Sequence, residues 1–293
     1  MQNKQSDIAS NAAEVSIASA AEISTEKTGY LDQEFRLFHI KDQTKRTFSY
    51  HYHDFHKVII FLSGKAAYHI EGKSYYLKPW DILLVNRHAI HKPEIDFSVP
   101  YERFVLWIRD DIAEADLLRC FQKAIDRSFN LIRLDSGTQE KLKQLLFELE
   151  ASLKDERFGS SLLSTALFTQ FMVYVNRIFL EKQYIYDARS YSSDSQIEEL
   201  LCYINHNLNE DLSIETLARK YYLSKYHMMR KFKEETGYTI HNYITSKRLL
   251  LARTQIAEGV PILKAAQLSG FSDYTTFSRA YKKQFGSAPS QVQ

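Results

Sequence analysis

Histidine is the residue type in this chain best suited to binding a metal ion or a small molecule, and it is concentrated before position 92. The histidines of interest are His39, His51, His53, His56, His88 and His91. His51 and His53 are two positions apart, so they share one face if their segment is a strand. Three converging imidazoles can bind a transition metal, which makes a metal-dependent enzyme one hypothesis. A pocket for a small organic effector and purely structural histidines are the alternatives, and all three stay open.

A second group of chemically useful residues lies near the C-terminus, where arginine and lysine recur on helical patterns. The stretch 212–237 predicts a short helix and then a longer one, with Ser213 and Ser224 as N-caps and Gly237 as the terminating residue. The stretch 261–286 predicts the same arrangement, with Asp273 as cap and Gly286 at the end. Each stretch is therefore a helix-turn-helix pattern.

These two stretches are copies of one unit. Phe232 and Tyr281 are separated by 49 positions, as are Gly237 and Gly286. In each longer helix, two residues at i and i+4 form a stripe that we expect to be buried. The opposite faces carry Tyr226, Met229, Arg230 and Lys233 in the first copy, and Tyr274, Thr275, Ser278, Arg279 and Lys282 in the second. Cations and hydroxyls on one face suit the phosphates and base edges of DNA.

The charge distribution supports a polyanionic partner. From Arg219 onward there are 13 Lys and Arg against 4 Asp and Glu, a net charge of +9. The whole chain has 38 Lys and Arg against 36 Asp and Glu, so the remainder carries −7. Such clustering predicts DNA binding that weakens strongly with salt. An ordinary solvated basic face on a helical bundle is the alternative.

One helix is predicted between the two copies, from Tyr238 to Glu258. About 20 residues at ~1.5 Å each span roughly 30 Å. Successive major-groove faces on one side of B-DNA are about 34 Å apart. A rigid spacer of this length could place both longer helices in the groove at once.

The last hundred residues resemble the DNA-binding domain of AraC/XylS-type transcription regulators. The resemblance is carried by Leu217, Ala218, Leu223, Ser224, Arg230, Phe232, Lys233, Gly237, Tyr243, Ile244, Arg248, Leu249, Ala252, Gly270, Phe271, Asp273, Phe277, Ser278, Arg279, Tyr281, Lys282, Gly286 and Pro289. It implies that bases are contacted by Tyr226, Met229, Arg230, Tyr274, Thr275, Ser278 and Arg279. We expect that Lys225, Lys231, Lys233, Lys282 and Lys283 hold the DNA backbone. Val292 and Gln293 replace a common aromatic–Arg pair, and Tyr281 replaces a usual Phe.

Between positions 30 and 110 the pattern is that of short β-strands. Predicted strands are Phe35–Ile40, Thr47–His51, Lys57–Ser63, Lys65–Ile70, Lys73–Leu77, Asp81–Val85 and Tyr101–Ile108. They are rich in Val, Ile, Tyr and Phe and are separated by Gly- and Pro-containing turns. Many short strands at regular spacing predict a small antiparallel barrel or sandwich. The order of motifs resembles the cupin sensor domain that precedes this type of DNA-binding domain.

The cupin resemblance implies a ligand site. His91 would face His51 and His53 from another strand, and Arg36 and Trp80 are further candidates for contacting an effector. Metal-binding cupins have a Glu shortly after the His-x-His pair, and here His56 or Lys57 stands in that region. Regulatory cupins of this kind usually bind a small organic molecule without a metal. We therefore expect a neutral or weakly anionic effector, for example a sugar, and no metal or other cofactor. A metal-dependent cupin enzyme remains the alternative.

Residues 111–185 have helical spacing of leucine and phenylalanine, as in 139–154 and 162–182. These helices either pack only on the barrel or also pair with a second protomer, as equivalent helices of the family often do. Residues 186–195 are polar and serine-rich, which is typical of a linker. The predicted division is a disordered segment at 1–29, a cupin-like sensor at 30–110, a helical dimerisation segment at 111–185, the linker, and the double helix-turn-helix domain at 196–293.

Composition narrows the class of protein. The predicted fold is α+β and multidomain, with an antiparallel β-barrel, a helical segment and an all-α domain of two helix-turn-helix motifs joined by a linker helix. Only Cys120 and Cys202 are present, which fits the cytoplasm and argues against a disulfide framework. There is no secretion signal and no apolar stretch long enough for a bilayer.

The expected partners are double-stranded promoter or operator DNA, an effector, RNA polymerase and a second copy of the chain. No enzymatic activity is expected.

Overall fold

The computed structural model describes residues 31, 33–43, 48–187 and 190–291. The chain divides into two compact units. Among the described residues, the first unit comprises the chain up to Ile70 and Ser74–Tyr191, and the second comprises Glu71–Lys73 and the chain from Ser192 onward. The predicted disordered segment 1–29 lies outside the described residues. No helix in the described ranges has both the length and the apolar character needed to cross a membrane.

The first unit is built on antiparallel strands divided between two sheets. The strands are β1 (Phe35–Asp42), β2 (His56–Ser63), β3 (Ala66–Ile70), β4 (Lys73–Tyr76), β5 (Ile82–Val85), β6 (His91–Ile95), β7 (Tyr101–Ile108), β8 (Leu131–Ile132) and β9 (Tyr191–Ser193). The strand order is β1-β7-β2-β5-β8 in one sheet and β6-β3-β4-β9 in the other. Three helices follow β7, namely α1 (Arg119–Arg127), α2 (Ser136–Ser152) and α3 (Ser160–Leu180).

Alternation of side chains along the strands gives the first sheet two different faces. On one face of β7, the ring centroid of Phe104 is 5.5 Å from that of Phe147 in α2. Trp107 lies on the opposite face of β7, with its ring centroid 6.2 Å from that of His53. The helices therefore cover one face of the sheet, and the other face is turned toward the histidines.

Among the described residues, the regular structure of the second unit is helical apart from the strand residues Lys73, Ser192 and Ser193. The α-helices are α4 (Ser195–His206), α5 (Ile214–Lys220), α6 (Lys225–Thr236), α7 (Ile240–Ala257), α8 (Ile262–Leu268) and α9 (Tyr274–Phe285). The pairs α5–α6 and α8–α9 are the two predicted helix-turn-helix motifs, and α7 joins them. With 18 residues, α7 is about 27 Å long. It begins at Ile240 because the hydroxyl of Thr239 accepts a hydrogen bond from the N–H of Asn242 at 3.2 Å.

The predicted fold class is confirmed, but several element bounds were wrong. Phe48–Tyr50 do not form a strand, and His51 makes only an isolated bridge with His91. The sequence patterns missed β6, β8 and β9. β8 has two residues and lies in the segment predicted to be helical, where it completes the first sheet by pairing with β5. A strand of two or three residues, such as β8 or β9, is too short to show an alternation of apolar and polar residues. Its formation depends instead on a partner strand that is distant in sequence.

Candidate functional site

Helix α6 has one buried stripe and one exposed face. Met228 and Phe232 are fully buried, as their spacing predicts. The other face carries five of the six residues expected to contact DNA in this helix, all five of them exposed: Lys225, Tyr226, Met229, Arg230 and Lys233. The side chain of Tyr226 is 78% exposed and that of Met229 is 45% exposed. The packing of the helical unit leaves these side chains available to a partner.

Helix α9 repeats this arrangement. Phe277 and Tyr281 are fully buried and pack with Leu249 and Ala252 of α7. The residues expected to contact DNA lie on the other side, with Ser278 partly buried and the rest exposed: Tyr274, Thr275, Ser278, Arg279 and Lys282. The structure thus places ten of the twelve candidate DNA-contacting residues on the outward faces of two corresponding helices. Of the other two, Lys283 is exposed and Lys231 is partly buried.

The two helices also begin and end in the same way. The hydroxyl of Ser224 accepts a hydrogen bond of 3.3 Å from the backbone N–H of the third residue of α6. The carboxylate of Asp273 accepts one of 2.6 Å from the third residue of α9. Hydrogen bonds from the side chain and backbone of Thr276 also hold the pKa of Asp273 below its ordinary value. Each helix ends at a glycine with positive φ, Gly237 at 75° and Gly286 at 76°.

The turn of the second motif is held by a close approach between Gly270 and Arg248. The side chain of Arg248, on α7, donates hydrogen bonds of 2.7 Å to the backbone oxygens of Leu208 and Glu210. Gly270 has φ +87°, and a Cβ at this position would collide with the Leu208 oxygen and the Arg248 guanidinium. Only glycine fits here, so the turn between α8 and α9 can lie directly against Arg248 of α7.

Two lysines of α6 are engaged in ion pairs rather than free. Lys225 pairs with Glu215 of α5, and Lys231 pairs with Asp194, the N-cap of α4. Arg230 lies 3.5 Å from Glu234 in an exposed i, i+4 pair. Exposed pairs of this kind contribute about 0.3–0.5 kcal/mol, so phosphate can displace them readily. Lys231 is only partly exposed, and its bond to Asp194 gives it a structural role that the sequence did not indicate.

An apolar groove of about 350 Å³ runs beside the exposed face of α6. Its walls come from α6 and from the first turns of α5 and α7. The lining residues are Ile214, Tyr226, Met229, Arg230, Lys233, Thr239, Ile240 and His241. The outward face of α6 is therefore partly apolar as well as cationic.

In the β unit, His51, His53 and His91 come together, as the cupin resemblance implied. One ring nitrogen from each lies within 4.8 Å of the others. His51 Nδ1 donates to the Ser49 oxygen and His91 Nδ1 to the Ala89 oxygen, both at 2.9 Å. When the two rings are neutral, each Nε2 is therefore an acceptor.

The imidazoles of His51 and His91 favour the neutral form. Burial, together with the charge of Lys57, lowers the pKa of His51 to about 4. Burial also lowers the pKa of His91 well below its ordinary value. The three histidines have the geometry to hold a metal ion, and neutral imidazole is the form that binds metal.

Lys57 lies inside this cluster. Its Nζ is 2.7 Å from Nε2 of His53 and 3.5 Å from Nε2 of His91. Burial, with the nearby charge of Arg103, lowers the pKa of Lys57 to about 7. Lys57 stands near the position where metal-binding cupins have a Glu, so this lysine could have been named as a site residue from the sequence. Its contact with the histidines could not, because that depends on the pairing of strands.

Of the other two effector candidates, Arg36 lies on the face of the first sheet that is turned toward the histidines, and Trp80 lies elsewhere. Arg36 is paired with Trp107 in the β1–β7 ladder, and its guanidinium is 5.4 Å from the Phe38 ring centroid. Trp107 has a buried indole N–H without a hydrogen-bond partner among the described residues. Trp80 packs against α2 instead, 6.3 Å from the ring of Phe147.

Two further histidines have structural partners. His39 lies between Glu102 at 3.0 Å and Glu150 at 3.2 Å, on the helix-covered face of the first sheet. Buried His56 donates from Nε2 to Asp110 at 2.9 Å, and its Nδ1 accepts the N–H of Arg87. Both side chains join elements distant in sequence, so the structural interpretation holds for these two.

Comparison with known proteins identifies both units. The AraC-like ligand binding domain matches residues 36–172, and a helix-turn-helix domain matches residues 217–293. The probable transcriptional regulator LumQ of Photobacterium leiognathi is 26% identical over 246 residues, which are 84% of this chain and 92% of LumQ. The HTH-type transcriptional activator RhaR of Mannheimia succiniciproducens is 23% identical over 246 residues, which are 83% of this chain and 86% of RhaR. Among solved structures, the C-terminal domain of AraT, a response regulator from Geobacillus stearothermophilus, is 26% identical, with a TM-score of 0.33. The match covers 34% of this chain and 84% of the AraT chain.

Proposed function

Because the chain belongs to the AraC family of transcription regulators, we propose that it binds promoter or operator DNA in the cytoplasm through α6 and α9. The observation that carries this proposal is the outward, cationic face that two corresponding helices share, each with a side-chain N-cap and a terminating glycine. A helix of this size fits the major groove of B-DNA. The length of α7, about 27 Å at ~1.5 Å per residue, is about 7 Å less than the roughly 34 Å between successive groove faces on one side of B-DNA.

We assign different tasks to arginines and lysines on these faces. Arg230 and Arg279 occupy the same position in the two copies, and each can donate two hydrogen bonds to a guanine edge or clamp a phosphate. Lys233 and Lys282 also correspond, and they lie one turn further along, where they can reach the DNA backbone. Phosphate contacts fix the register of the protein, and base contacts select the sequence.

The β unit is the proposed effector sensor, with a small organic molecule such as a sugar as the ligand. Arg36, His51, His53 and His91 supply hydrogen-bonding groups on the face of the sheet away from the helices. Trp80 was also proposed, but its packing against α2 supports a structural role. An effector can act only through a difference in its affinity for the DNA-binding and non-binding states. Calorimetry of the full chain against a sugar panel tests this proposal, and no heat with any member counts against it.

We propose that the chain acts as a homodimer through the helical segment. Large apolar side chains are exposed on α3 and in the connection between α2 and α3: Leu153, Phe158, Leu162 and Leu163. Leu162 is 77% exposed, and burying such residues against a second copy removes apolar surface from water. Sedimentation of Leu162→Glu should show a monomer where the unchanged chain is a dimer. Gln170→Glu, at an exposed polar position of α3, is the control.

A regulator of this kind needs no catalytic residue, and we propose that the chain is not an enzyme. RNA polymerase is the further partner that we propose for the protein bound at a promoter. The relatives named above are transcription regulators, which supports both statements. The alternative of a metal-dependent cupin enzyme requires a metal at His51, His53 and His91, and it predicts stoichiometric metal in the purified chain.

The direct test is footprinting on the DNA upstream of the chain's own gene. We expect two protected blocks about one helical turn apart, roughly 10 base pairs. Affinity should fall steeply as salt rises, since lysine and arginine displace counterions from the phosphates. The double variant Arg230→Ala, Arg279→Ala should lose the footprint, while Arg177→Ala, at an exposed position of α3, should keep it. Binding by the double variant equal to that of the unchanged chain would contradict the proposal.

A further inference from the structure

The outward faces of the two DNA-facing helices differ at three corresponding positions. An offset of 49 residues aligns Arg230 with Arg279 and Lys233 with Lys282, so these two cations are common to both copies. The same offset aligns Lys225 with Tyr274, Tyr226 with Thr275, and Met229 with Ser278. At the last two of these positions the first helix presents an aromatic ring and a thioether where the second presents two hydroxyls.

The exposed apolar residues of α6, Tyr226 and Met229, are not needed to pack this helix into its unit. The core positions of this helix are filled by Met228 and Phe232, which are fully buried. Met229 is 45% exposed, next to Arg230 on the free face, and Tyr226 lies one turn before it at 78% exposure. Both side chains line the apolar groove beside α6. Their exposed surface is explained if a partner covers it.

The proposed partner has one apolar group that such a surface can detect. In the major groove of B-DNA, hydrogen-bond donors and acceptors mark every base, and the C5-methyl of thymine is the apolar feature. A flexible thioether adapts to such a methyl group, and a tyrosine ring covers it with little loss of conformational freedom. Hydroxyls such as those of Thr275 and Ser278 instead form hydrogen bonds with base edges.

We propose that α6 reads thymine through contact of Met229 and Tyr226 with its C5-methyl group, whereas α9 reads its own half-site by hydrogen bonding through Thr275 and Ser278. This inference rests on the proposed DNA binding and names the bases that one half of the site must contain. The two halves of the binding site then differ in chemistry, and this difference sets the orientation of the protein on the DNA.

Deoxyuridine provides the test, because it pairs as thymine does and lacks only the methyl group. The binding site is first selected from random-sequence DNA with the full chain. Arg230→Ala and Arg279→Ala then assign each half-site by the protection that each variant loses. Thymines are replaced by deoxyuridine in one half-site at a time, and affinity is measured by fluorescence anisotropy. Burial of one methyl group corresponds to about a fourfold change in affinity.

We expect a loss of about fourfold per methyl in the α6 half-site and little change in the α9 half-site. Met229→Ser, which gives α6 the residue found in α9, should bind the thymine and deoxyuridine sites more nearly alike. Ser278→Ala is the matched control and should leave the ratio between the two DNAs unchanged. Circular dichroism of each variant shows whether the helices are intact, and both changed positions lie outside the fully buried core.

Two results would overturn the inference while leaving DNA binding intact. One is a selected α6 half-site without thymine, and the other is equal affinity of the unchanged chain for thymine and deoxyuridine DNA. Absence of binding to any DNA would be different, because it would remove the proposed function together with the inference.

Discussion

Nζ of Lys57 lies 2.7 Å from Nε2 of His53, in the space toward which three imidazoles converge. A metal ion bound to those imidazoles would sit about 2.0–2.1 Å from each nitrogen. The lysine side chain and a metal ion therefore compete for one position, and a protonated amine also repels the ion.

Replacement of Lys57 by alanine should consequently create metal affinity. A like charge at ~4 Å opposes binding by about 4 kcal/mol at the effective dielectric of a protein, so we expect Lys57→Ala to bind Zn²⁺ or Ni²⁺ more than about tenfold tighter than the unchanged chain. Titration calorimetry measures this, and Lys57→Ala combined with His91→Ala should lose the gain. Tight stoichiometric binding by the unchanged chain would instead favour the metal-dependent enzyme.

Stability should fall in mild acid because His56 is buried in its neutral form. Burial lowers its pKa from 6.5, although Asp110 opposes this and Arg87 adds to it. The unfolded chain then binds a proton that the folded chain resists. The contribution of His56 is complete above pH 6.5 and is lost as the pH falls below that value.

His56→Gln should reduce this loss by up to roughly 1.4 kcal/mol per pH unit, the limit for one proton. Free energies of unfolding from urea titrations at pH 7.5 and pH 5 provide the measurement. The slopes of unfolding free energy against pH are compared, because the substitution also removes a hydrogen bond and so lowers stability at neutral pH. Identical slopes for the two proteins would mean that His56 does not titrate in this range.

Alanine at two glycines should separate backbone strain from steric collision. Gly270 and Gly286 both have positive φ, 87° and 76°. A Cβ at Gly286 meets nothing within 4 Å, whereas one at Gly270 collides with Leu208 and Arg248. We expect Gly286→Ala to cost about 1 kcal/mol of stability and Gly270→Ala at least about 2 kcal/mol more. Equal costs, measured by thermal or urea unfolding, would show that the Arg248 contact gives way easily.

Tyr281→Phe should stabilise the helical unit. The hydroxyl of Tyr281 is buried and has no hydrogen-bond partner among the described residues. Burial also raises the pKa of this phenol. Removing an unpaired buried polar group should raise the free energy of unfolding by about 1 kcal/mol. Destabilisation in the urea titration would indicate that the hydroxyl is hydrogen bonded in solution.

Arg230→Ala should weaken binding to the selected site by roughly 1 to 3 kcal/mol if this arginine reads a base. Arg230→Lys keeps the charge but cannot donate the paired hydrogen bonds, so it should recover little of the loss. Affinities for the selected site and for unrelated DNA, measured at one salt concentration, distinguish a base contact from a phosphate contact. Equal weakening on every sequence, with recovery by lysine, would make Arg230 a phosphate contact.

The double helix-turn-helix unit could be predicted in detail from the sequence because its determinants are local. Ser224 and Asp273 cap helices by bonding to residues three positions away, and the buried stripe of Met228 and Phe232 follows from helical periodicity. Gly286 ends its helix because a left-handed backbone favours glycine. Each of these signals lies within a single turn of the chain.

The tertiary structure alone decided the features that join distant segments. The two-residue strand β8 exists only because β5 offers it an edge, and His51 bridges to His91 across 40 positions. Trp80 packs on α2 rather than with the histidines, and Arg248 reaches back to Leu208 beneath Gly270. Such contacts depend on strand register and helix packing, which the whole chain determines together. Local propensity identifies the elements, and packing of their buried faces selects which side chains meet.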